Sequence, residues 1–343
     1  MTTTYRAVQA VHPGRLELVE REMPAPGDGE VLLEVEACGV CGADAADIKR
    51  VAPGQPRVPG HEAVGRITAL GPGVPSLWRI GQRVGVGRMG GHCGLCGPCR
   101  QGHFNLCANQ PVVGATCDGG YAEMMVARSS GLVAIPEELD SQDAAPILCA
   151  GIATFNALRK CGAEAGDLVA VLGIGGLGHM AVQYARRMGF KVVAAGRGQD
   201  IAQAALGLGA HIYVDTAREA LADALSAMGG AQAIIATIGD AGAAAAAMAG
   251  LAPRGRMVLL GICQDALPVL SGHLVGGERS VMGSITGSPH ETERALRFSV
   301  LADALPRIET LPLERAEEAY RRMRSGEVEF RMVLTMDRAD RRG

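Results

Sequence analysis

From the amino terminus to about residue 150 the apolar positions fall in short runs with a period near two, broken by Gly and Pro. Examples are Val31 to Glu36, Ala63 to Thr68 and Arg83 to Val86. This pattern predicts an irregular, β-rich domain. Beyond about Gly151 the texture changes. Short buried strands at Asp167 to Leu172, Lys191 to Ala195, Ala233 to Thr237 and Met257 to Leu260 alternate with helical stretches, which is the pattern of a doubly wound α/β domain. The apolar stretch Ala231 to Pro253 is interrupted by Asp240 and rich in Ala and Gly, so it reads as a buried strand followed by a small-residue helix. From about Ser284 the pattern predicts a helix around Glu314 to Ser325 and a closing strand, Phe330 to Thr335, returning to the first domain.

Composition removes several function classes. A chain of 343 residues has room for two separate cores, and 48% hydrophobic residues with 48 Gly describe a compact, glycine-turned protein. A net charge of −3, with no basic stripe carrying aromatics, argues against a nucleic-acid partner. Arg338, Arg341 and Arg342 read as a solvated end. Met1 to His12 lack the apolar core of a signal peptide, and no run of about eighteen apolar residues occurs, so a cytoplasmic protein with no membrane partner is expected. In that reducing setting the ten cysteines are better read as metal ligands or buried thiols than as disulfides.

The first chemical signal follows the strand Leu168 to Leu172. Gly173, Ile174, Gly175, Gly176, Leu177 and Gly178 open the helix His179 to Met188. Glycines at that spacing permit a tight turn, let the backbone approach a pyrophosphate and pack helix against strand, while the helix N-terminus faces the anion. The turn Gly261-Ile262 after a later strand is grouped with these dinucleotide contacts. Cofactor choice should lie at the end of the second strand, where an acidic side chain binds the ribose 2′-hydroxyl and an Arg accepts a 2′-phosphate. Here Gly196 stands at the acidic position and Arg197 follows, which favours NADP(H) over NAD(H). The alternative is that Arg197 faces solvent and Asp200 serves the ribose.

The second signal is local. Cys93, Cys96, Cys99 and Cys107 are spaced C-x2-C-x2-C-x7-C, so four thiolates can close a tetrahedral shell around a structural zinc and leave no position open. His92 and His103 lie nearby and read as surface residues. The third signal is dispersed: Cys41, the pair His61-Glu62, and Cys149. No spacing forces these together.

Six pieces, in order, make the chain resemble the zinc-dependent medium-chain alcohol dehydrogenases over essentially its whole length. They are Cys38 to Asp44, Gly60 to Glu62, Gly81 to Val84, the four-cysteine lobe, Leu148 to Ile152, and Gly173 to His179. The resemblance implies a GroES-like β-rich catalytic domain, residues 1–150 and 285–343 with the zinc lobe at about 90–110, and a Rossmann domain, 151–284. It also implies a cleft between them for nicotinamide and zinc, and a homodimer or homotetramer. By the same resemblance Cys41, His61 and Cys149 would hold a catalytic zinc, Glu62 would be an exchangeable ligand, and Asp44 would orient His61. Two zincs per chain follow. Cys38, Cys117, Cys161 and Cys263 match no ligand position and read as buried small hydrophobes.

The chain also departs from the family. Ala43 and Ala46 occupy the positions where a Ser or Thr and a His usually relay the alcohol proton. Either water, Asp47 or another group takes that role, or the reaction is not ordinary alcohol oxidation. Met89, Val112, Val113 and Ile285 suggest an apolar pocket for a small-molecule substrate, and each also fits a plain core position. The expected activity is hydride transfer between NAD(P)(H) and a small alcohol, aldehyde or ketone. A reductase of conjugated C=C or C=N bonds and a non-catalytic, redox-sensing dinucleotide binder are the alternatives.

Overall fold

The computed structural model describes residues 4–52 and 54–336. The arginines at 338, 341 and 342 lie outside them. The chain forms two compact units. The first comprises the described residues up to Cys149, with Gly287–Val300 and those from Pro306 onward; the second comprises Ala150–Thr286 and Leu301–Leu305.

The first unit opens with an antiparallel pair, β1 (Thr4–His12) and β2 (Arg15–Glu22). The long strand β3 (Glu30–Val40) follows, and β4 (Ala63–Leu70), β5 (Arg83–Val86), β6 (Met124–Arg128) and β7 (Leu132–Ala134) build a sheet around it. β3 is flanked on both sides, and of its eleven residues all but three are buried. That explains a nearly continuous apolar run where a half-exposed strand would alternate. Val31, Leu33, Val35 and Val40 pack with Ile67, Val84 and Met332 in its core.

In the second unit the strands β8 (Leu168–Leu172), β9 (Lys191–Gly196), β10 (Ile212–Asp215), β11 (Ala231–Ala236), β12 (Leu251–Leu259) and β13 (Ser280–Gly283) form one sheet. It is parallel throughout, in the order β10-β9-β8-β11-β12-β13. The order reverses at β8, and in such sheets ligands bind beyond the carboxyl ends of the strands at that switch point. This is an α/β protein with a β-rich unit and a unit whose parallel sheet has the Rossmann strand order. The small-residue helix is Ala241–Ala247, and Asp240 caps it by accepting the Ala243 N–H at 2.9 Å. β12 starts at Leu251, six residues earlier than the apolar pattern indicates. Its register slips between Ala231 and Ala233 of β11 because Pro253 lacks an N–H and Arg254 has φ +61°.

β14 (Ile308–Pro312) and β15 (Arg331–Thr335) complete the first unit's sheet, β15 pairing antiparallel with β3. Among the described residues no helix is long and apolar enough to cross a membrane.

Candidate functional site

β3 ends at Val40, and Cys41 then caps the helix Gly42–Arg50. Asp44, three residues on, accepts the Cys41 N–H on Oδ2 at 2.9 Å, so a carboxylate reaches back to the helix entrance as in a capping box. The other oxygen, Oδ1, lies 2.7 Å from His61 Nδ1. The Tyr121 hydroxyl also donates to Asp44 Oδ2, at 2.9 Å. One fully buried carboxylate thus fixes both a helix start and an imidazole. His61 and Glu62 immediately precede β4, and Cys149 sits in the π-helical turn Ile147–Gly151, the kind of widened turn often found at functional sites.

The ligand atoms of Cys41, His61, Glu62 and Cys149 all lie within 4.8 Å of one another. The Cys41 and Cys149 sulfurs are 3.9 Å apart. Hydrogen bonding from Cys149 holds the Cys41 thiol well below the usual range despite burial, while Cys149 is pushed up by the same contact and by burial. Burial opposes charge on His61, but the Asp44 carboxylate outweighs it and raises that pKa. Glu62 is raised to about 7 by burial, which the Arg331 guanidinium only partly offsets. Arg331, on β15, donates to both Glu62 oxygens. His61 Nε2 is buried and has no hydrogen-bond partner. A buried, unpaired imidazole nitrogen facing two thiols and a carboxylate is the donor set of a zinc site with an exchangeable position. The residues present fit that metal.

The second group is Cys93, Cys96, Cys99 and Cys107. Here backbone amides hold the sulfurs: Cys93 and Asn109 N–H each point at Cys107 Sγ from 3.3 Å, and Cys96 N–H at Cys93 Sγ from 3.4 Å. The Asn109 side chain and neighbouring amides lower the Cys93 pKa to about 5, thiolate character that a closed zinc shell requires. His103 is exposed as expected. His92 is not a plain surface residue: its ring stacks on Phe104 at 4.3 Å and its Nδ1 is buried.

In the second unit Gly173 has φ +96°, and a Cβ on Gly178 would stand 1.9 Å from the Gly173 carbonyl, so the helix Gly178–Arg187 starts directly on its strand. Gly175 is exposed, Gly176 and Leu177 are partly so, and Ile174 is buried. A cavity of about 430 Å³ is lined by Gly173, Gly196, Arg197, Thr216 and Asp240, among others. Asp200 does not line it. A Cβ on Gly196 would come within 2.8 Å of the Tyr213 hydroxyl, which donates to the Gly198 carbonyl at 2.5 Å. Gly261 packs against the Ile238 carbonyl, and Ile262 is 93% exposed.

Two family models match the chain: the alcohol dehydrogenase GroES-like domain over residues 27–137 and the zinc-binding dehydrogenase over 176–300. It is 41% identical to alcohol dehydrogenase notN of Aspergillus sp. (strain MF297-2) over 327 residues, 95% of each chain. The chain belongs to the zinc-type medium-chain dehydrogenase/reductase family. An alcohol dehydrogenase of Geobacillus stearothermophilus shares 38% identity, covering 94% of this chain and 96% of that one. Among solved structures, a cinnamyl alcohol dehydrogenase from Sorghum bicolor superposes with a TM-score of 0.88 at 29% identity, over 97% of both chains. As a member of this family the protein is an oxidoreductase.

Val113 is buried in the first unit's core, Met89 and Val112 form a backbone bridge, and Ile285 is 52% exposed in the second unit. Cys38 and Cys161 are buried as expected and Cys117 partly so, but Cys263 is exposed, because it lies in the irregular segment after β12. Sequence reasoning missed Tyr121 and Arg331. It also missed Arg88, which binds Asp47 through Nη1 at 2.6 Å and Nη2 at 3.2 Å. The signal was an Arg in an otherwise Gly-rich stretch, and a second Asp three residues after Asp44 on one helix.

Proposed function

We propose that the protein transfers a hydride between NADP(H) and a small alcohol, aldehyde or ketone at a zinc held by Cys41, His61 and Cys149, with Glu62 as an exchangeable ligand. A second, structural zinc is assigned to Cys93, Cys96, Cys99 and Cys107. The observation that carries this reading is the buried, unpaired His61 Nε2 among two thiols and a carboxylate. Zinc in such a set supplies Lewis acidity toward an alcohol or carbonyl oxygen.

The chain's own residues prepare that centre. Asp44 holds His61 by Nδ1, which leaves Nε2 free as the donor. Arg331 keeps Glu62 paired when it is away from the metal. Ala43 and Ala46 offer no hydroxyl or imidazole, so water, Asp47 or another group would have to take the alcohol proton. In the second unit the Gly173–Gly178 turn would hold the pyrophosphate, and Arg197, which lines the cavity, would accept the 2′-phosphate. The β-rich unit is read as catalytic, the Rossmann unit as the dinucleotide carrier, and the assembly as a cytoplasmic homodimer or homotetramer.

The test is a panel of alcohols, aldehydes, enals and imines assayed with both dinucleotides, alongside elemental analysis. Two zincs per chain, turnover of alcohols or aldehydes, and a kcat/KM with NADPH that falls in Arg197→Ala while that with NADH holds are expected. One zinc that survives chelation together with full activity would reject the catalytic assignment. Turnover of enals but not simple aldehydes would move the reading to a C=C reductase.

A further inference from the structure

The cavity beyond the carboxyl end of β9 sets one cation against two carboxylates. Among the described residues that line it, Arg197 carries the positive charge, and Glu219 and Asp240 the negative ones. An anion is accepted there only if the guanidinium stands near enough to outweigh both acids, so its placement decides what binds. The next strand, β10, does the placing. One residue before Arg197, the Gly196 carbonyl accepts the Thr216 N–H at 2.8 Å and the Thr216 hydroxyl at 3.0 Å. One residue after it, both backbone groups of Gly198 are engaged. The Gly198 N–H donates to Asp215 Oδ1 at 2.7 Å, and the Gly198 carbonyl accepts the Tyr213 hydroxyl at 2.5 Å.

Asp215 is the centre of this arrangement. Its Oδ1 also accepts the Ala217 N–H at 3.0 Å, and its Oδ2 accepts the Gln199 amide at 3.3 Å, so one carboxylate ties the loop after β9 to the loop after β10. With its side chain only 6% exposed, water competes little for these bonds. Arg218, whose Nε lies 3.5 Å from Oδ2, is 77% exposed and does not line the cavity. We infer that Asp215 is a positioning residue for cofactor choice: with Tyr213 and Thr216 it clamps the backbone on either side of Arg197, so that the guanidinium meets the 2′-phosphate already in place. Ordering of the loop is complete before the dinucleotide arrives, and the attraction of the guanidinium is not spent on it. The identity of the anion rests on the NADP(H) reading above; the clamp does not.

The experiment measures, by calorimetry on the full zinc-loaded chain, the binding of adenosine 2′,5′-bisphosphate and of adenosine 5′-monophosphate, which differ only in the 2′-phosphate. Wild type is compared with Asp215→Ala, Arg197→Ala and the two together. A charge-assisted hydrogen bond is worth about a tenfold to hundredfold preference. The preference for the bisphosphate should fall by at least about tenfold in Asp215→Ala, and by less than about twofold when Arg197 is already alanine, because Asp215 acts through it. Asp215→Asn, which keeps an acceptor for the Gly198 amide, should restore part of the preference, and Tyr213→Phe should lose a smaller part. Hydrogen exchange at the Gly198 amide should quicken in Asp215→Ala. A preference that survives Asp215→Ala, an equal loss for both nucleotides, or the same loss with and without Arg197 would overturn the clamp and leave the NADP(H) reading standing. If Asp215→Ala does not fold, an undiminished preference in both Asp215→Asn and Tyr213→Phe overturns it instead. Equal binding of both nucleotides by wild type would sink the NADP(H) reading. A ratio that Asp215→Ala then still shifts about tenfold would leave the clamp standing, and an unshifted one would remove both.

Discussion

The two candidate metal sites use similar donors and are built in opposite ways. The four-cysteine lobe is drawn from fifteen consecutive positions, Cys93 to Cys107, and its sulfurs are held by nearby backbone amides. The other site gathers Cys41, His61, Glu62 and Cys149 from across the first unit, and side chains as remote as Arg331 support it. In the lobe the loop is shaped around the place where the metal goes. In the buried site the sheet, a helix entrance and a π turn have already fixed the donors, so the metal adds chemistry more than shape.

That contrast can be broken most sharply by removing one sulfur from each. Cys149→Ala should lower kcat roughly 10⁴-fold while the melting temperature moves little. Cys99→Ala should instead release one zinc and lower the melting temperature, with the remaining active molecules keeping their kcat. Thermal melts, elemental analysis and active-site titration check this, and matching behaviour of the two variants would erase the distinction.

A smaller effect is expected at Arg331. Replacing it by Met strands the fully buried Glu62 without its partner, which costs about 3 to 5 kcal/mol if the carboxylate stays charged. Glu62 already sits near pKa 7, so it will take up a proton and hide part of that loss. Urea unfolding should therefore show Arg331→Met losing more stability at pH 8 than at pH 6. A loss that does not depend on pH would mean that packing, not charge, is what Arg331 contributes.

The smallest effects separate the two kinds of support. Asp44→Asn keeps the shape but loses the charged partner of His61, and should weaken zinc at the buried site by about tenfold to a hundredfold in competition with a chelator. Asn109→Ala removes one side-chain donor to Cys93 and leaves the backbone amides that hold the lobe's sulfurs, and should change zinc release there by about threefold. Comparable shifts in both would show that the lobe depends on side chains as much as the core site does.

The same contrast explains what the sequence disclosed. Alternating strands and helices, the Gly173 turn and the four cysteines are local patterns, set by period and spacing within a dozen or so residues. Cys41, His61 and Cys149 had no such spacing and became visible only through resemblance to a family. Tyr121, Arg88 and Arg331 were invisible because their partners lie 77, 41 and 269 positions away, and only sheet pairing brings them together. The early start of β12 escaped because a bulge at Pro253 and Arg254 interrupts the pattern a strand would show.

The Tyr213 hydroxyl beside Gly196 constrains how the protein can change over generations. An acidic side chain at 196 would bring its Cβ within 2.8 Å of that hydroxyl. A side chain there has to displace the end of the Tyr213 ring, or Tyr213→Phe has to remove the hydroxyl, and either change breaks the hydrogen bond to the Gly198 carbonyl. Positions 196 and 213 are therefore coupled, and libraries aimed at this end of the cavity should vary the two together.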